Sequence, residues 1–345
     1  MRTRKRLMNS KIYKQLDSKW SDLAYPTKSS SFGGNGCGCC ALVHVAIEQP
    51  SKRSWTPKTL RPWIIKQGYA VAGQGTRWEG ITAGLKHIGH KKVVWVKRDD
   101  PMSKAWAELK KGNRIGILLV SNGATPDGTY WTSSGHYVAF TDFKITKSGK
   151  HKFYIKDSGG RGHDGWFTYE KSIKGALPQM WIVEKTPATR LAEKAREFAW
   201  YTKDELKNAP YPKGKAKPVY TKALDKYFGK NRGWQDSAKK GASCDVYDAT
   251  CIRAAGIDKN APRGMGRSYL DKSDKFERVK VTYKTIQNGD IISIIWANGN
   301  PHWAIAYNGY TLEASLKGWY PKRTNTLKSR LSKAGKQSVV VYRAK

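Results

Sequence analysis

The sequence predicts an α+β protein of two domains, each with a cysteine at the start of a helix and antiparallel strands after it. Three observations support this. The chain has 345 residues, more than a single hydrophobic core usually serves. In each half, helical spacing of apolar residues comes early and strand-like segments come late. The same order in both halves favours two copies of one architecture, although their sequences show no fixed-period repeat.

In the first half, one clear helix precedes three strands. The stretch "CALVHVAIEQ" has apolar residues at helical spacing, and Pro50 is expected to end it. The segments "NRIGILLVS", "HYVAFTDF" and "KFYIKDSGG" have strand composition. Ser148 and Gly149 predict a turn between the last two. We assign this domain to residues 1–185.

Residues 186–215 are predicted to connect the domains. Positions 186–208 have the pattern of a charged amphipathic helix with a Thr-Pro start. The following segment "APYPKGKAKPVYTK" is rich in Pro, Gly and Lys, a composition typical of linkers.

The second domain is assigned to residues 216–345. Helices are predicted at "TKALDKYFGK" and "SCDVYDATCIRAAGID", and strands at "GDIISIIWA", "HWAIAYNG", "YTLEAS" and "QSVVVYRA". The dipeptide Asn308-Gly309 predicts a two-residue hairpin turn that pairs Tyr307 with Tyr310. In that register, Glu313 is a diagonal neighbour of His302 on one face of the sheet.

Composition narrows the functional classes. Hydrophobic residues make up 39% of the chain, with 14 Trp and 18 Tyr, which is enough for packed cores and argues against disorder. Purely apolar runs such as "ILLV" are far too short to span a membrane. The basic N-terminus lacks the apolar region of a standard secretion signal. The formal charge of +37 predicts polyanionic partners such as nucleic acid, anionic lipid or bacterial wall polymers.

The five cysteines predict thiol chemistry rather than a disulfide framework, because their number is odd and they fall in two clusters. Cys37 lies between two glycines just before the first helix, where the helix dipole favours a thiolate. A thiolate nucleophile needs a base and a group that orients the base. His136 and Asp157, on successive strands, are the candidates for these roles.

Other interpretations of these residues stay open. Cys37, Cys39, Cys40 and His44 form a possible zinc ligand set, although C-x-C-C-x3-H is crowded for tetrahedral ligation. The three thiols are alternatively ordinary buried residues. His136 taken alone is more typical of a satisfied core histidine, and only the order of Cys37, His136 and Asp157 along the chain favours a catalytic role.

The second half contains a parallel set. Cys244 begins a predicted helix that Gly256 ends, His302 opens a strand, and Glu313 lies on the return strand. Cys251, two turns after Cys244, is predicted to be a core residue. The competing interpretations are a solvated strand position for Glu313 and a hairpin histidine without a role for His302.

Most of residues 13–160 resembles the papain-like peptidases related to the bacteriocin leader-peptidase family. The matching stretches are "QLDSKW", "GNGCGCCAL", "TPKTLRPWIIKQGY", "AGQGTRWEGI", "SSGHYVAFTDF" and "FYIKDSGG". The resemblance implies a papain-like fold with Cys37 as nucleophile, His136 as base, Asp157 as its orienting group and Gln15 as oxyanion-hole donor. Cys39-Cys40 departs from the Pro-Thr that is usual in the family.

Residues 240–320 resemble the NlpC-type cell-wall peptidases through "SCDVYDATCIRAAGI", "NGDII", "PHWAIAYNG" and "LEAS". The resemblance implies a second papain-like unit with Cys244 as nucleophile and His302 as base. Glu313 stands where the family more often has another polar residue, and Ser-Cys-Asp replaces the usual Asp-Cys-Ser.

Together these features predict a bifunctional peptidoglycan hydrolase of the bacteriophage lysin or virion-associated type, which uses no cofactor and no metal. Its expected partners are peptidoglycan, anionic wall polymers and, for a virion component, other virion proteins; no specific nucleic acid is expected. It would act from the host cytoplasm after release, or from the virion. The alternatives are a peptidase that processes a leader or virion protein, and a non-catalytic basic scaffold that binds nucleic acid.

Overall fold

The computed structural model describes residues 11–49, 55–176, 178–207, 216–229, 243–282, 285–314, 320–334 and 338–345. Within these ranges the chain is a mixed α+β protein with antiparallel sheets. It divides into two compact units, an N-terminal unit that ends at Lys185 and a C-terminal unit that begins at Thr186. Pro50, predicted to end the first helix, lies outside the described residues.

The N-terminal unit places helices on a six-stranded sheet. Its helices are α1 (Phe32–Asn35), α2 (Cys37–Ile47), α3 (Pro57–Lys66), α4 (Trp78–His87) and α5 (Met102–Leu109). Its strands are β1 (Ala70–Val71), β2 (Gly75–Thr76), β3 (Val94–Val96), β4 (Arg114–Ser121), β5 (Gly135–Ile145), β6 (His151–Lys156), β7 (Gly165–Thr168) and β8 (Gln179–Glu184). The large sheet has the order β3-β8-β4-β5-β6-β7, and β1 pairs with β2 separately.

The helix α2 is central to this unit because almost all of its residues are buried. Its side chains join those of α3, α4 and one face of the sheet in a single apolar core. The opposite face of the sheet packs against α5 and the segment that follows β7. The sheet is therefore covered on both faces, and α2 is held firmly against β5 and β4.

The C-terminal unit also combines helices with a six-stranded antiparallel sheet. Its helices are α6 (Pro187–Phe198), α7 (Lys203–Lys207), α8 (Pro218–Phe228), α9 (Cys244–Ala254), α10 (Arg267–Lys272) and α11 (Leu327–Ala334). Its strands are β9 (Phe276–Val279), β10 (Ile291–Ile295), β11 (Pro301–Tyr307), β12 (Tyr310–Glu313), β13 (Lys322–Thr326) and β14 (Ser338–Ala344). The strand order is β13-β12-β11-β10-β14-β9.

The predicted connection over 186–215 is wrong for the part that forms α6, and residues 208–215 lie outside the described residues. Helix α6 is part of the C-terminal core, where Leu191 and Phe198 are buried against α9. The helix also ends at Phe198 rather than continuing to position 208. The reason is that Trp200 joins the sheet edge: its N–H donates to the Pro321 carbonyl at 3.0 Å, and its carbonyl accepts from the Arg323 N–H at 2.7 Å.

Two local predictions can be compared directly. The predicted hairpin register is confirmed, because Tyr307 pairs with Tyr310, and both Asn308 and Gly309 have positive φ as a type I′ turn requires. The first helix, predicted to begin after Cys37, instead begins at Cys37. The Cys40 N–H donates to the Gly36 carbonyl at 3.0 Å and closes the first turn there.

Among the residues that the structure describes, no helix has both the length and the apolar composition for a membrane span.

The assignment of α6 to the C-terminal core predicts that Leu191→Ala lowers the free energy of unfolding of this unit by about 2–5 kcal/mol. The measurement is alkylation of the buried Cys251 thiol in increasing urea, with each cysteine quantified by mass spectrometry. Leu206→Ala, in α7 and only partly buried, is the matched control with a smaller loss. If Leu191→Ala leaves the protection of Cys251 from alkylation unchanged, α6 does not stabilise this core and is a linker.

Candidate active sites

Cys37 occupies the first turn of α2, where a close approach of backbone requires glycine on both sides. A Cβ atom on Gly36 would lie 2.6 Å from the Phe32 ring, and one on Gly38 would lie 2.5 Å from Thr76 Oγ1. The two glycines therefore let α1 and β2 pack tightly around Cys37, a residue that stays partly exposed.

His136 and Asp157 meet because of a β-bulge. Along the hairpin, Asp142 pairs with Tyr154 but Phe140 pairs with Ile155, so β5 contains one extra residue. This shift puts Asp157 opposite Val138 in the continued register, on the face that carries His136. Without the bulge, the period-2 alternation would put the carboxylate on the other face.

The resulting contacts connect three side chains. His136 Nε2 lies 2.6 Å from Asp157 Oδ1. His136 lowers the pKa of the Cys37 thiol through hydrogen bonding and charge, and Nδ1 is the ring nitrogen that Asp157 leaves unbound. The Gly159 N–H donates to Asp157 Oδ1 at 2.7 Å, and the Asp157 N–H donates to Asp164 Oδ1 at 2.9 Å. The predicted trio Cys37, His136 and Asp157 is thus brought together.

In this trio a Cys37 thiolate beside a His136 imidazolium is favoured over the neutral thiol and the neutral imidazole. Burial opposes ionisation of Cys37, but the hydrogen bond and charge of His136 outweigh it and lower the pKa of the thiol. Burial likewise opposes the imidazolium, but Asp157 and Cys37 raise the pKa of His136 to about 10. The pKa of Asp157 is lowered despite burial, because His136 donates to it. A thiolate beside an imidazolium is the reactive form of a cysteine nucleophile.

Gln15 bridges the segments on either side of the trio. Its side-chain amide donates to the Gly33 carbonyl at 2.8 Å, and its side-chain oxygen accepts from Ser158 Oγ at 3.1 Å. Its backbone N–H donates to the Ser158 carbonyl at 2.9 Å. Gln15 therefore joins α1 to the loop that carries Asp157, and its role as oxyanion-hole donor remains a prediction.

His163 is a contact of Asp157 that sequence reasoning missed. Its Nδ1 lies 3.5 Å from Asp157 Oδ2, and its ring packs on Trp131 with centroids 4.7 Å apart. Burial lowers the pKa of His163, which favours the neutral ring beside the carboxylate. Its only sequence signal is its place six residues after Asp157, in the turn before β7.

The neighbouring cysteines and His44 are core residues in this fold. Cys39 and Cys40 are fully buried, and burial raises the pKa of both thiols. His44 accepts the Tyr13 N–H at Nε2 over 2.8 Å, and burial together with Lys156 lowers its pKa to about 3. Among the described residues, no group of three or more His, Cys, Asp or Glu is arranged to hold a metal ion.

In the C-terminal unit, the hairpin holds His302 and Glu313 side by side. His302 Nε2 lies 2.7 Å from Glu313 Oε2. The other carboxylate oxygen accepts from Thr324 Oγ1 and from the Arg330 guanidinium. Burial alone would raise the pKa of Glu313, but His302 and Arg330 lower it. Glu313 is therefore a fixed carboxylate that orients the imidazole rather than a solvated strand residue.

Cys244 begins α9 and faces the same cavity as His302. The cavity measures about 870 Å³, and its walls include Cys244, Asp245, Trp296, His302, Glu313 and Arg330. Within the described residues, no hydrogen bond joins the Cys244 thiol to His302. Burial raises the pKa of Cys244 to about 12, so this thiol is neutral at physiological pH.

Asp248 is a buried acid that sequence reasoning did not single out. It lies one helical turn after Cys244 on α9 and is completely buried. Neither carboxyl oxygen has a hydrogen-bond partner in the described part of the chain. Burial, with added repulsion from Asp245 and Glu313, raises its pKa well above 3.8. Asp248 is therefore a neutral carboxylic acid one helical turn away from Cys244.

The two thiols are predicted to differ in their reaction with iodoacetamide. Cys37 is expected to react rapidly near pH 7, below the ordinary thiol pKa of 9.0, because its pKa is lowered by His136. Cys244 is expected to react slowly there and to accelerate as the pH rises. Mass spectrometry of each cysteine across a pH series gives both profiles, and His136→Gln should move the Cys37 profile to higher pH. Coinciding profiles for Cys37 and Cys244 would contradict the assignment.

Asp248→Asn is predicted to stabilise the C-terminal unit near pH 7. The unfolded chain loses this proton near pH 4 while the folded chain keeps it, so wild-type stability falls as the pH rises above the unfolded value. Asparagine removes that cost, so its advantage in unfolding temperature should be small near pH 4 and grow toward pH 7. Asp274→Asn, at an exposed position, is the control. An advantage that does not vary with pH would mean that Asp248 is ionised in the folded state.

Comparison with protein-family models and with curated protein sequences finds no match for this chain. The function is therefore inferred from the side chains that the fold brings together. Each unit assembles a thiol, an imidazole and a carboxylate, and among these two thiols only Cys37 has its pKa lowered by the imidazole of its unit.

Proposed function

We propose that this chain is a bifunctional peptidoglycan hydrolase, with two papain-like cysteine-peptidase units that cleave stem-peptide or cross-bridge amide bonds. The observation that carries the proposal is the 2.6 Å hydrogen bond between His136 and Asp157 beside Cys37, whose pKa His136 lowers. A thiolate–imidazolium pair beside a buried carboxylate is suited to acyl transfer. The position of Cys37 at the start of α2 agrees with the resemblance of the N-terminal unit to the leader-peptidase-like family.

In the N-terminal site the thiolate is ready to attack. It adds to the peptide carbonyl, and the carbonyl oxygen becomes an oxyanion. The first N–H groups of α2 have no intrahelical partner and are available to stabilise that oxyanion, with Gln15 as the proposed side-chain donor. His136 then gives its proton to the leaving amine. Water, deprotonated by His136, hydrolyses the thioester and regenerates the thiolate.

In the C-terminal site the thiol must first be deprotonated. Glu313 fixes the His302 ring through Nε2, which leaves the other ring nitrogen to take the proton from Cys244 once substrate fills the cavity. This unit is proposed to be of the NlpC type, cutting stem-peptide bonds next to D-glutamyl residues. Its neutral thiol predicts a stronger dependence on substrate binding than in the N-terminal unit.

The net charge supports a wall substrate. A formal charge of +37 attracts anionic polymers over several ångströms of solution, and bacterial walls contain such polymers together with unusual peptide bonds. A phage lysin released from the host cytoplasm, or a virion-associated wall hydrolase, fits this combination of chemistry and charge.

Replacement of each proposed nucleophile should remove the part of the activity that belongs to its unit. With purified sacculi, Cys37→Ala and Cys244→Ala are each expected to lose one set of released muropeptides, and the double variant to lose roughly a thousandfold or more of the total rate. Chromatography and mass spectrometry of the products identify each bond. Cys39→Ala, which removes a buried thiol outside the trio, is the control and should keep both product sets.

Undiminished release by the double variant would exclude the thiol mechanism. No release by the wild-type protein would instead favour a peptidase that processes a leader or virion protein, or a basic scaffold that binds nucleic acid.

A further inference from the structure

We infer that the N-terminal unit has a carboxylate-binding subsite at Arg161 and Tyr130, next to the Cys37 trio, which selects peptides with a free carboxylate near the bond to be cut. The inference rests on the proposed function, because it assigns a substrate feature to that same site. It depends on the anchoring of Arg161, on its place in the loop that carries Asp157, and on the exposed side chains around it.

Arg161 is held in place without an acidic partner. Its Nη1 donates to the Trp131 carbonyl at 3.1 Å, and its guanidinium lies over the Tyr130 ring at 5.1 Å from the centroid. In the described part of the chain no carboxylate lies within ion-pair distance of it. The guanidinium has five N–H donors in a rigid plane, and one is used, so four remain for a ligand. A fixed, exposed guanidinium of this kind is well suited to a carboxylate.

The loop that carries Arg161 is part of the catalytic site. Gly159, two residues earlier, donates to Asp157, and a Cβ atom on Gly159 would lie 3.4 Å from His136 Nε2. Trp131, which anchors Arg161, packs on His163, and His163 lies 3.5 Å from Asp157 Oδ2. Arg161 is thus connected to the trio through two short series of contacts.

Exposed apolar side chains lie beside the same loop. Tyr130 is 52% exposed and Leu16 is 64% exposed, unusual for large apolar residues. Leu16 Cδ1 lies 3.9 Å from the place of a Cβ atom on Gly160, the residue before Arg161. The combination of an apolar surface and an anchored guanidinium fits a short peptide with a carboxylate on or near the residue bound there.

In a stem peptide with lysine as its third residue, that carboxylate has two sources, the α-carboxyl of the glutamyl residue and the C-terminal carboxyl. Four substrate forms distinguish them: both groups free, each group amidated in turn, and both amidated. Because the whole chain is cationic, any anion is attracted to some degree. The test therefore compares ratios between substrates and not absolute rates.

The experiment uses the full chain with Cys244→Ala, so that cleavage reports the N-terminal site. We expect amidation of one carboxyl to lower kcat/KM, mainly through KM, and Arg161→Gln to reduce this preference by roughly ten- to a hundredfold. Arg98→Gln is the matched control. It removes the same charge after β3, at the opposite edge of the sheet from β6 and β7, and should keep the wild-type preference.

An unchanged preference in Arg161→Gln, or the same loss in Arg98→Gln, would overturn the subsite while leaving the proposed function intact. Failure of the Cys244→Ala protein to cut any of the four forms would count against the proposed function of this unit. In that case, calorimetric titration of the Cys37→Ala, Cys244→Ala protein with the same peptides still tests the subsite. Binding that prefers a free carboxylate and requires Arg161 supports it, and equal binding with and without Arg161 rejects it.

Discussion

The buried hydrogen bond between His136 and Asp157 is the interaction on which the N-terminal site depends. An imidazolium in a protein interior is unfavourable unless a carboxylate is fixed beside it, and the thiolate of Cys37 is unfavourable unless the imidazolium is present. The surrounding structure fixes that carboxylate. The Gly159 N–H donates to its side chain, and Lys14 donates to the Asp157 carbonyl at 2.9 Å while pairing with Asp164.

Helix α2, which begins with Cys37, is attached to β6, the strand that leads to Asp157. Glu48, which caps the C-terminus of α2, forms a buried ion pair with Lys156, the last residue of β6 and the neighbour of Asp157. One helix end is therefore fixed to the strand that delivers the carboxylate, and its other end presents Cys37 to His136. A break in either attachment would separate charges that stabilise each other only at short range.

The two units show the same three groups in different protonation states. In the C-terminal unit, Glu313 already orients His302, but Cys244 is out of hydrogen-bond contact with the ring and has Asp245 and the protonated Asp248 nearby. Burial and the negative charge of Asp245 both disfavour a thiolate there. Under the proposed function, this difference makes the N-terminal thiol ready to attack before substrate arrives, while the C-terminal thiol depends on a proton transfer within the cavity.

The sequence by itself determined the α+β class, the helix that begins near each cysteine, and the Asn308-Gly309 register that makes Glu313 a diagonal neighbour of His302, because these depend on local periodicity and turn chemistry. Only the tertiary structure decided that Asp157 faces His136, since one extra residue in β5 reverses the side-chain alternation. It likewise decided the core position of α6 and the isolation of Asp248, which depend on packing between segments far apart in the chain. The contacts of Arg161 and His163 belong to the same class, because loops position them and no periodic pattern marks them in advance.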